Sequence, residues 1–358
     1  MNRANAGLQD SYRTAAAALL AVFCAHIFAV QIAGPASDTS PASKRRRVAA
    51  GQAVALGAAP TNGTRPKRAA AQGDPLPIRR AAPRPAGKVE LAAYKGLGTW
   101  IDLFDHGPWR NPTWTVRRAA QRGARTIFLQ TSTYGSPRPI MHVRKVAEFI
   151  TAAHRRGLRV VGWSVPAFTT PKKDLYRARA AVNFRTHNGE GFDSFGLDIE
   201  ANIVDNIGKR NARLMWMSEK LRQTVGPDYP LAAIVPDSHS RYWPNFPYKR
   251  IARVYDVMVP MGYFTFSTSG YRSVRTYTTN NIRTLRRETG KVEIPIHVIG
   301  GIADDVGVPA ARGFVRAVKE QKILGASLYD FAITGAETWR ELKPVVSGVR
   351  RAARKAGD

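Results

Sequence analysis

From residue 91 onward the sequence predicts a (β/α)8 barrel, and three observations predict it. Short apolar runs recur eight times, amphipathic segments with apolar residues at helical spacing separate them, and several of those segments end in glycine. Near-continuous apolar strands alternating with helices indicate a parallel sheet covered on its outer face. A doubly wound sheet would carry a phosphate-type glycine fingerprint after its first strand. "GLG" at Gly96 to Gly98 stands at the wrong end of its strand for that role.

The segments that precede the barrel read differently. Arg3 and Arg13 flank the start of an apolar run from Ala15 to Gly34, followed by small residues. This is the pattern of an export signal, and its length also suits a membrane anchor, so residues 1–36 are expected to direct the chain out of the cytoplasm. Residues 37–90 are rich in Ala, Pro, Gly and Arg, including "KRRR" at Lys44 to Arg47. Such a composition buries too little apolar surface to offset its ordering entropy, so a disordered linker is expected there. The barrel is then expected over residues 91–358. Cys24 is the single cysteine, which leaves no zinc-type spacing and no intrachain disulfide.

The strand runs follow in order. "KGLGTWIDLFD" places Trp100, Asp102 and Phe104 on one face, with Asp102 and Trp100 as candidate binding residues. The loop after it holds His106, Trp109 and Trp114. "RTIFLQTST" offers Gln130 as a hydroxyl- or network-binding residue, and "RVVGWSVPAF" follows a helix that ends at Gly157. "LAAIVPDS" leads into a loop with Asp237, His239, Tyr242 and Trp243. "DVMVPMGYF" comes next, then "EIPIHVIGGI", where His297 reads as a satisfied core histidine. "GASLYDFAIT" closes the series with Asp330 at its end. In such a barrel the chemistry sits where strands end and βα loops begin. Aromatic rings grouped there with polar residues predict a cleft lined by rings, a surface that suits sugars.

The fourth run, "FDSFGLDIEA", carries the sharpest signal. Strand alternation puts Gly196, Asp198 and Glu200 on one face, and two carboxylates at i and i+2 stand roughly 6 to 7 Å apart along a strand. In a poorly solvated pocket they cannot both ionise freely, so at least one is expected to keep its proton near neutral pH and act as a general acid. The residues alone leave other readings open: binding without turnover, a salt-bridged pair, or a metal site, although no His or further carboxylate flanks the pair.

The same stretch resembles the fourth-strand signature of family 18 glycoside hydrolases, the chitinase-like barrels, which reads roughly F-D-G-x-D-x-D-x-E. Asp193, Asp198 and Glu200 match its first, third and last acidic positions, and Gly196 replaces the middle Asp. "VPMGYF" is similar to that family's Met-x-Tyr-Asp, with Met261 and Tyr263 matching and Phe264 replacing the Asp; "YDFAITGAETW" is loosely similar to its eighth-strand end. The resemblance implies Glu200 as general acid and Asp198 as the group that orients an N-acetyl substituent or stabilises the cation its carbonyl forms. It also implies Tyr263 as a donor to that substituent, and Asp193 as a site residue. With two acidic positions replaced, Glu200 paired with Asp102, Asp237 or Asp330 is an alternative.

The net charge of +29 favours anionic partners. Basic residues spread over many helices, as in "RRAAQRGAR", "HRRG" and "VRRAARK", fit adhesion to an anionic envelope polymer or lipid better than nucleic acid, for which no binding module is present. Two functions are therefore expected as alternatives: a hydrolase of an envelope or extracellular polysaccharide, needing no cofactor, or a non-catalytic barrel that holds such a polymer.

Overall fold

The computed structural model describes residues 89–238 and 242–345. The expected export segment with Cys24, nearly all of the expected linker, His239 and the basic stretch 349–355 lie outside the described residues. Eight strands run β1 (Gly96–Ile101), β2 (Thr126–Thr133), β3 (Arg159–Val165), β4 (Ser194–Asp198), β5 (Leu231–Val235), β6 (Val257–Pro260), β7 (His297–Ile302) and β8 (Gly325–Tyr329). Between and after them lie α1 (His106–Arg110), α2 (Pro112–Gln121), α3 (Val143–His154), α4 (Pro171–Val182), α5 (Ile207–Val225), α6 (Tyr248–Val254), α7 (Tyr271–Thr289), α8 (Val308–Glu320) and α9 (Ala336–Leu342). The strands pair in parallel in the order β6-β5-β4-β3-β2-β1-β8-β7. Parallel bridges Met258–Ile296 and Met261–Ile299 join the two ends, so the sheet closes. The expected barrel is present.

Alternation divides the strand residues between two apolar layers. Leu97, Ile127, Leu129, Val160, Leu197 and Ala233 face the helices, while Trp100, Phe128, Val161, Trp163, Ile234 and Val259 fill the interior. Inside, Trp100 stacks on Phe128 with centroids 4.2 Å apart and meets Trp163 edge-on at 5.5 Å. Rings of that size need a small residue opposite. A Cβ at Gly98 would stand 2.6 Å from Phe128 and 3.1 Å from His297, so glycine is required there. The first strand stops at Ile101, one residue short of Asp102, and Phe104 turns out to solvent at 56% exposure. The face shared by Trp100, Asp102 and Phe104 is thus interrupted, because the chain turns where the backbone leaves the ladder.

The N-terminal end of the barrel is sealed by the 3-10 turn Ala92–Tyr94. Tyr94 is fully buried, its hydroxyl pairs with Ser194 Oγ at 2.6 Å, and its carbonyl accepts from His297 Nδ1 at 3.0 Å. His297 Nε2 meets Ser327 Oγ at 3.1 Å, and burial pushes the imidazole down to about 4, so it is a neutral core histidine with both nitrogens satisfied. At this same end lies Asp193, just before β4. Its carboxylate accepts from His154 Nε2, Arg159 and the Val160 N–H at 2.8 to 2.9 Å, while His154 Nδ1 reaches Glu190 at 3.2 Å. Asp193 therefore belongs to a clamp that ties α3 to the start of β3 and β4. The site role implied for it by the resemblance does not fit this placement, at the far end of the barrel from the βα loops.

Candidate active site

Asp198 ends β4, and the Ile199 N–H continues the ladder to the Ile234 carbonyl at 2.9 Å. The alternation therefore carries on one step, and Glu200 follows Asp198 on the inward face. Asp198 is 6% exposed and its Oδ1 has no hydrogen-bond partner among the described residues. Burial, with the Glu200 charge adding to it, holds its carboxyl well above the usual range. Glu200 is half-buried, and desolvation pushes it up to about 7. Its backbone carbonyl is pinned by Tyr242 Oη at 2.7 Å, which fixes the turn that carries it. The sequence motif is also visibly altered below the pair. A Cβ at Gly196 would lie 3.0 Å from Ile234 Cδ1, so an isoleucine occupies the space of the middle acid.

A second acidic centre faces this one from β1 and β8. One oxygen each of Asp102, Asp105 and Asp330 lies within 4.8 Å of the others. Tyr329 Oη donates to Asp102 Oδ2 at 2.6 Å, and the Asp102 N–H donates to Asp105 Oδ2 at 3.1 Å. Asp330 Oδ1 accepts from the N–H groups of Ala332 and Ile333, after a cis Tyr329–Asp330 peptide. Burial and then Asp102 push Asp330 up to about 7; burial, then Asp330 and Asp102, hold Asp105 well above its ordinary value. These three residues are the place where a cation would fit. Four of their six oxygens already accept hydrogen bonds, from Tyr329 Oη and from the N–H groups of Asp102, Phe104, Ala332 and Ile333, so waters would complete most of such a cation's shell.

Tyr263, just after β6, links the two centres. Its phenol is raised well above its usual value first by burial and then by Asp198, Glu200, Asp330 and Asp102 together. Its ring lies 6.4 Å from that of Tyr329, the donor to Asp102, and the raised phenol stays a donor. Gln130 supports the same region from beneath: its Oε1 accepts the Leu103 N–H at 2.9 Å and holds the turn that carries Asp102 and Asp105.

Other expected residues have different places. The Asp237 carboxylate accepts from Tyr277 and Asn281 on α7, which makes it a tie between β5 and that helix. Trp243 is 3% exposed, lies edge-on to Phe168 and Phe246, and carries the Arg210 guanidinium 4.0 Å above its ring. Trp100, 1% exposed with Nε1 bonded to Ser327, is floor and not wall. Trp109 is buried against Phe149, and its Nε1 donates to the Asp102 carbonyl. The expected ring-lined cleft is thus corrected for Trp100, Trp109 and Trp243, whose indoles turn inward to fill space between elements, while Trp114 on α2 stays 44% exposed beside Arg118.

Further apolar surface at the mouth comes from Phe104 and from three residues that the sequence reading passed over. Phe104, Tyr134, Ile203 and Ile333 are 37 to 56% exposed in the loops after β1, β2, β4 and β8. Phe104 and Ile333 donate their N–H groups to Asp102 and Asp330. Tyr134 lies near enough to Tyr242 to help raise its phenol, and Ile203 follows Glu200 by three residues. Asp105 was missed as well; its place one turn after Asp102, at the head of a short helix, was the available signal.

A closed parallel barrel with carboxylates at the C-terminal ends of β1, β4 and β8 defines the class of architecture. No protein-family model matches the chain, and no curated protein matches it in sequence. Solved barrels do match in structure. An endo-1,4-β-mannanase from Rhizomucor miehei superposes with a TM-score of 0.57 at 8% identity, covering 74% of this chain and 97% of that one. An endo-β-1,4-mannanase from Thermotoga petrophila gives 0.56 at 10% identity, covering 71% and 77%. A family 18 chitinase from Cycas revoluta gives 0.53 at 8% identity, covering 70% and 99%. At such identities the likeness shows the fold.

Proposed function

We propose that the protein is a glycosidase that cleaves a polysaccharide at the barrel mouth, with Glu200 as general acid. The observation that carries this reading is the inward-facing Asp198–Glu200 pair at the end of β4, with desolvation keeping Glu200 protonated up to about 7. A carboxyl poised near the working pH is suited to proton donation. The exposed apolar residues around the mouth support a sugar substrate, whose C–H faces stack on such surfaces. The solved barrels it resembles are named as mannanases and chitinases, which agrees with that class.

In this reading Glu200 passes its proton to the glycosidic oxygen as the bond to the anomeric carbon breaks. The open Oδ1 of Asp198 takes the N–H of an acetamido substituent, whose carbonyl oxygen closes on the anomeric carbon and holds its charge. Tyr263 donates to the same substituent. Water, deprotonated by the Glu200 carboxylate, then opens that ring and restores the acid. Export of the chain and attachment to an anionic envelope partner, polymer or lipid, complete the proposal; the net charge of +29 and the N-terminal pattern support them. A second reading, a barrel that binds without cleaving, is favoured by Gly196 and by Phe264, which stands where the family motif has Asp and is fully buried. Incubation with N-acetylated and plain β-linked oligosaccharides distinguishes them. Turnover that drops by about 10² to 10⁴-fold in Glu200→Gln with binding retained supports the enzyme. Binding without products from the parent chain supports the binder.

A further inference from the structure

In a (β/α)8 barrel the βα loops and the starts of the helices after them surround the mouth. Their charge here differs from one side of the barrel to the other. In the loops and first helical turns after β1 to β4, Arg110, Arg138, Arg144, Lys172, Lys173 and Lys209 are exposed, against one exposed carboxylate, Asp205. Lys249 and Arg272 continue the series after β5 and β6. After β7 and β8 the exposed charges are Asp304, Asp305 and Glu337, with no lysine or arginine in those loops or first turns. The ion pairs of the β1–β4 side employ other cations, Lys145 with Glu148 and Arg177 with Asp174. The six exposed cations are left to an anion from outside.

Buried charge strengthens the same arc. Arg177 is 4% exposed, donates to the Ser136 carbonyl at 2.9 Å, and keeps Nε and a terminal nitrogen without a hydrogen-bond partner among the described residues. Asp174, 3.8 Å from it, is itself held above its usual range by burial, so it offsets that guanidinium incompletely. Cations set in low-dielectric walls around a cleft focus a positive field into it. The carboxylates deeper in the mouth do not cancel that field near neutrality. Burial holds Asp105 and Asp198 well above the usual range, and places Glu200 and Asp330 at about 7. Between the cations stand the exposed Phe104, Tyr134 and Ile203, in the loops after β1, β2 and β4.

We propose that the polysaccharide received at this mouth is anionic, a glycan whose carboxylate or phosphate groups lie along the cationic arc while its sugar faces rest on Phe104, Tyr134 and Ile203. The proposal rests on the polysaccharide reading above and adds the charge of that chain. Arginines grip such oxygens in pairs, and lysines act as point charges. Asp304, Asp305 and Glu337 repel the chain from the β7–β8 side, so it lies toward the loops after β1 to β4, the side that carries Glu200.

The test measures binding by calorimetry on the full chain carrying Glu200→Gln, so that cleavage does not consume the probe. Two pairs of probes are compared: hyaluronan hexasaccharide with chitohexaose, and pentamannosyl phosphate with its dephosphorylated form. A preference for the charged member of the first pair assigns carboxylate, and of the second phosphate. That preference is expected to be about tenfold or more at low salt and to shrink as salt is added. Adding Arg110→Gln, Arg138→Gln, Lys172→Gln and Lys209→Gln should abolish it. A control with Lys95→Gln, Arg125→Gln, Arg155→Gln and Lys322→Gln removes the same charge from exposed positions at the other end of the barrel and should retain it. Equal losses in the two fourfold variants would overturn the arc. Neutral members bound as tightly as charged ones in both pairs overturn the anionic substrate and leave the polysaccharide reading standing. A single-stranded oligonucleotide of matching charge held more tightly than every glycan, through the same four residues, replaces the glycan with nucleic acid. No binding of any glycan defeats both readings.

Discussion

Raising pH through neutrality is the most direct probe of the acid. An ordinary glutamic acid, near 4.5, holds its proton in about 1 molecule in 300 at pH 7. With burial placing Glu200 at about 7, about half the molecules hold it, a gain on the order of 10²-fold in the acid-competent form. Activity against kcat/KM should accordingly be flat below neutrality and decline tenfold per pH unit above about 7. The assay is a pH profile of kcat/KM on a cleaved oligosaccharide, with circular dichroism at each pH to show that the fold persists. Asp198→Asn should lower the rate yet leave that limb near 7, because desolvation, and not Asp198, is what raises Glu200. Glu200→Gln should abolish the limb together with most of the rate. A limb near 4.5, or one that persists unchanged in Glu200→Gln, refutes the assignment and points to Asp330, itself held at about 7.

Three more outcomes are expected. Hydrogen bonding to Asp193 raises His154, so its stabilising effect is full below the unfolded value of about 6.5 and is lost as pH rises through the folded value. Asp193 is lowered because His154, the Val160 N–H and Arg159 outweigh its burial, so its share is lost as pH falls through its folded value. The difference in unfolding free energy between parent and His154→Gln should therefore be largest between about pH 4 and 6.5, on the order of 1 kcal/mol by chemical denaturation, and a difference that grows toward pH 9 would contradict the clamp. Gly196→Asp restores the family motif but crowds Ile234; it should cost about 1 to 3 kcal/mol in chemical denaturation, and Ile234→Ala in the same chain should recover part of it. Phe104→Ala and Tyr134→Ala should raise KM severalfold with kcat and Tm little changed, since both side chains are exposed; a loss confined to kcat would place them elsewhere in the cycle.

The barrel was legible because its signal is periodic and repeated. Eight apolar runs and the helices between them leave few other ways to bury those faces. The Asp198–Glu200 pair was legible for the same reason, since alternation alone assigns Gly196, Asp198 and Glu200 to one side. That rule also places Asp193 on the opposite side and at the wrong end of its strand, a point that the motif match concealed. Loop residues were harder to read. Whether an indole such as Trp243 lines a cleft or packs under Arg210 depends on helices distant in sequence, and no local pattern encodes that. Tyr329 joins Asp102 through a contact between β8 and β1, the last and first strands, which only closure of the sheet brings together, whereas Asp105 meets Asp102 within the turn that follows β1.

The plug at Tyr94 makes the barrel a vessel with one opening. Below Asp198 and Glu200 stand Trp163, Trp100, Phe128 and His297, each 3% exposed or less, and beneath them the Tyr94 ring closes the base. That stack of buried rings separates the carboxylates from the solvent at the base. Each proton that Glu200 gives up must be returned from the solvent side, past the same Phe104, Tyr134, Ile203 and Ile333 that flank an arriving chain. A long substrate lying across those residues would then slow its own recharging step, so turnover on polymer and on short fragments should differ even where the bond broken is the same.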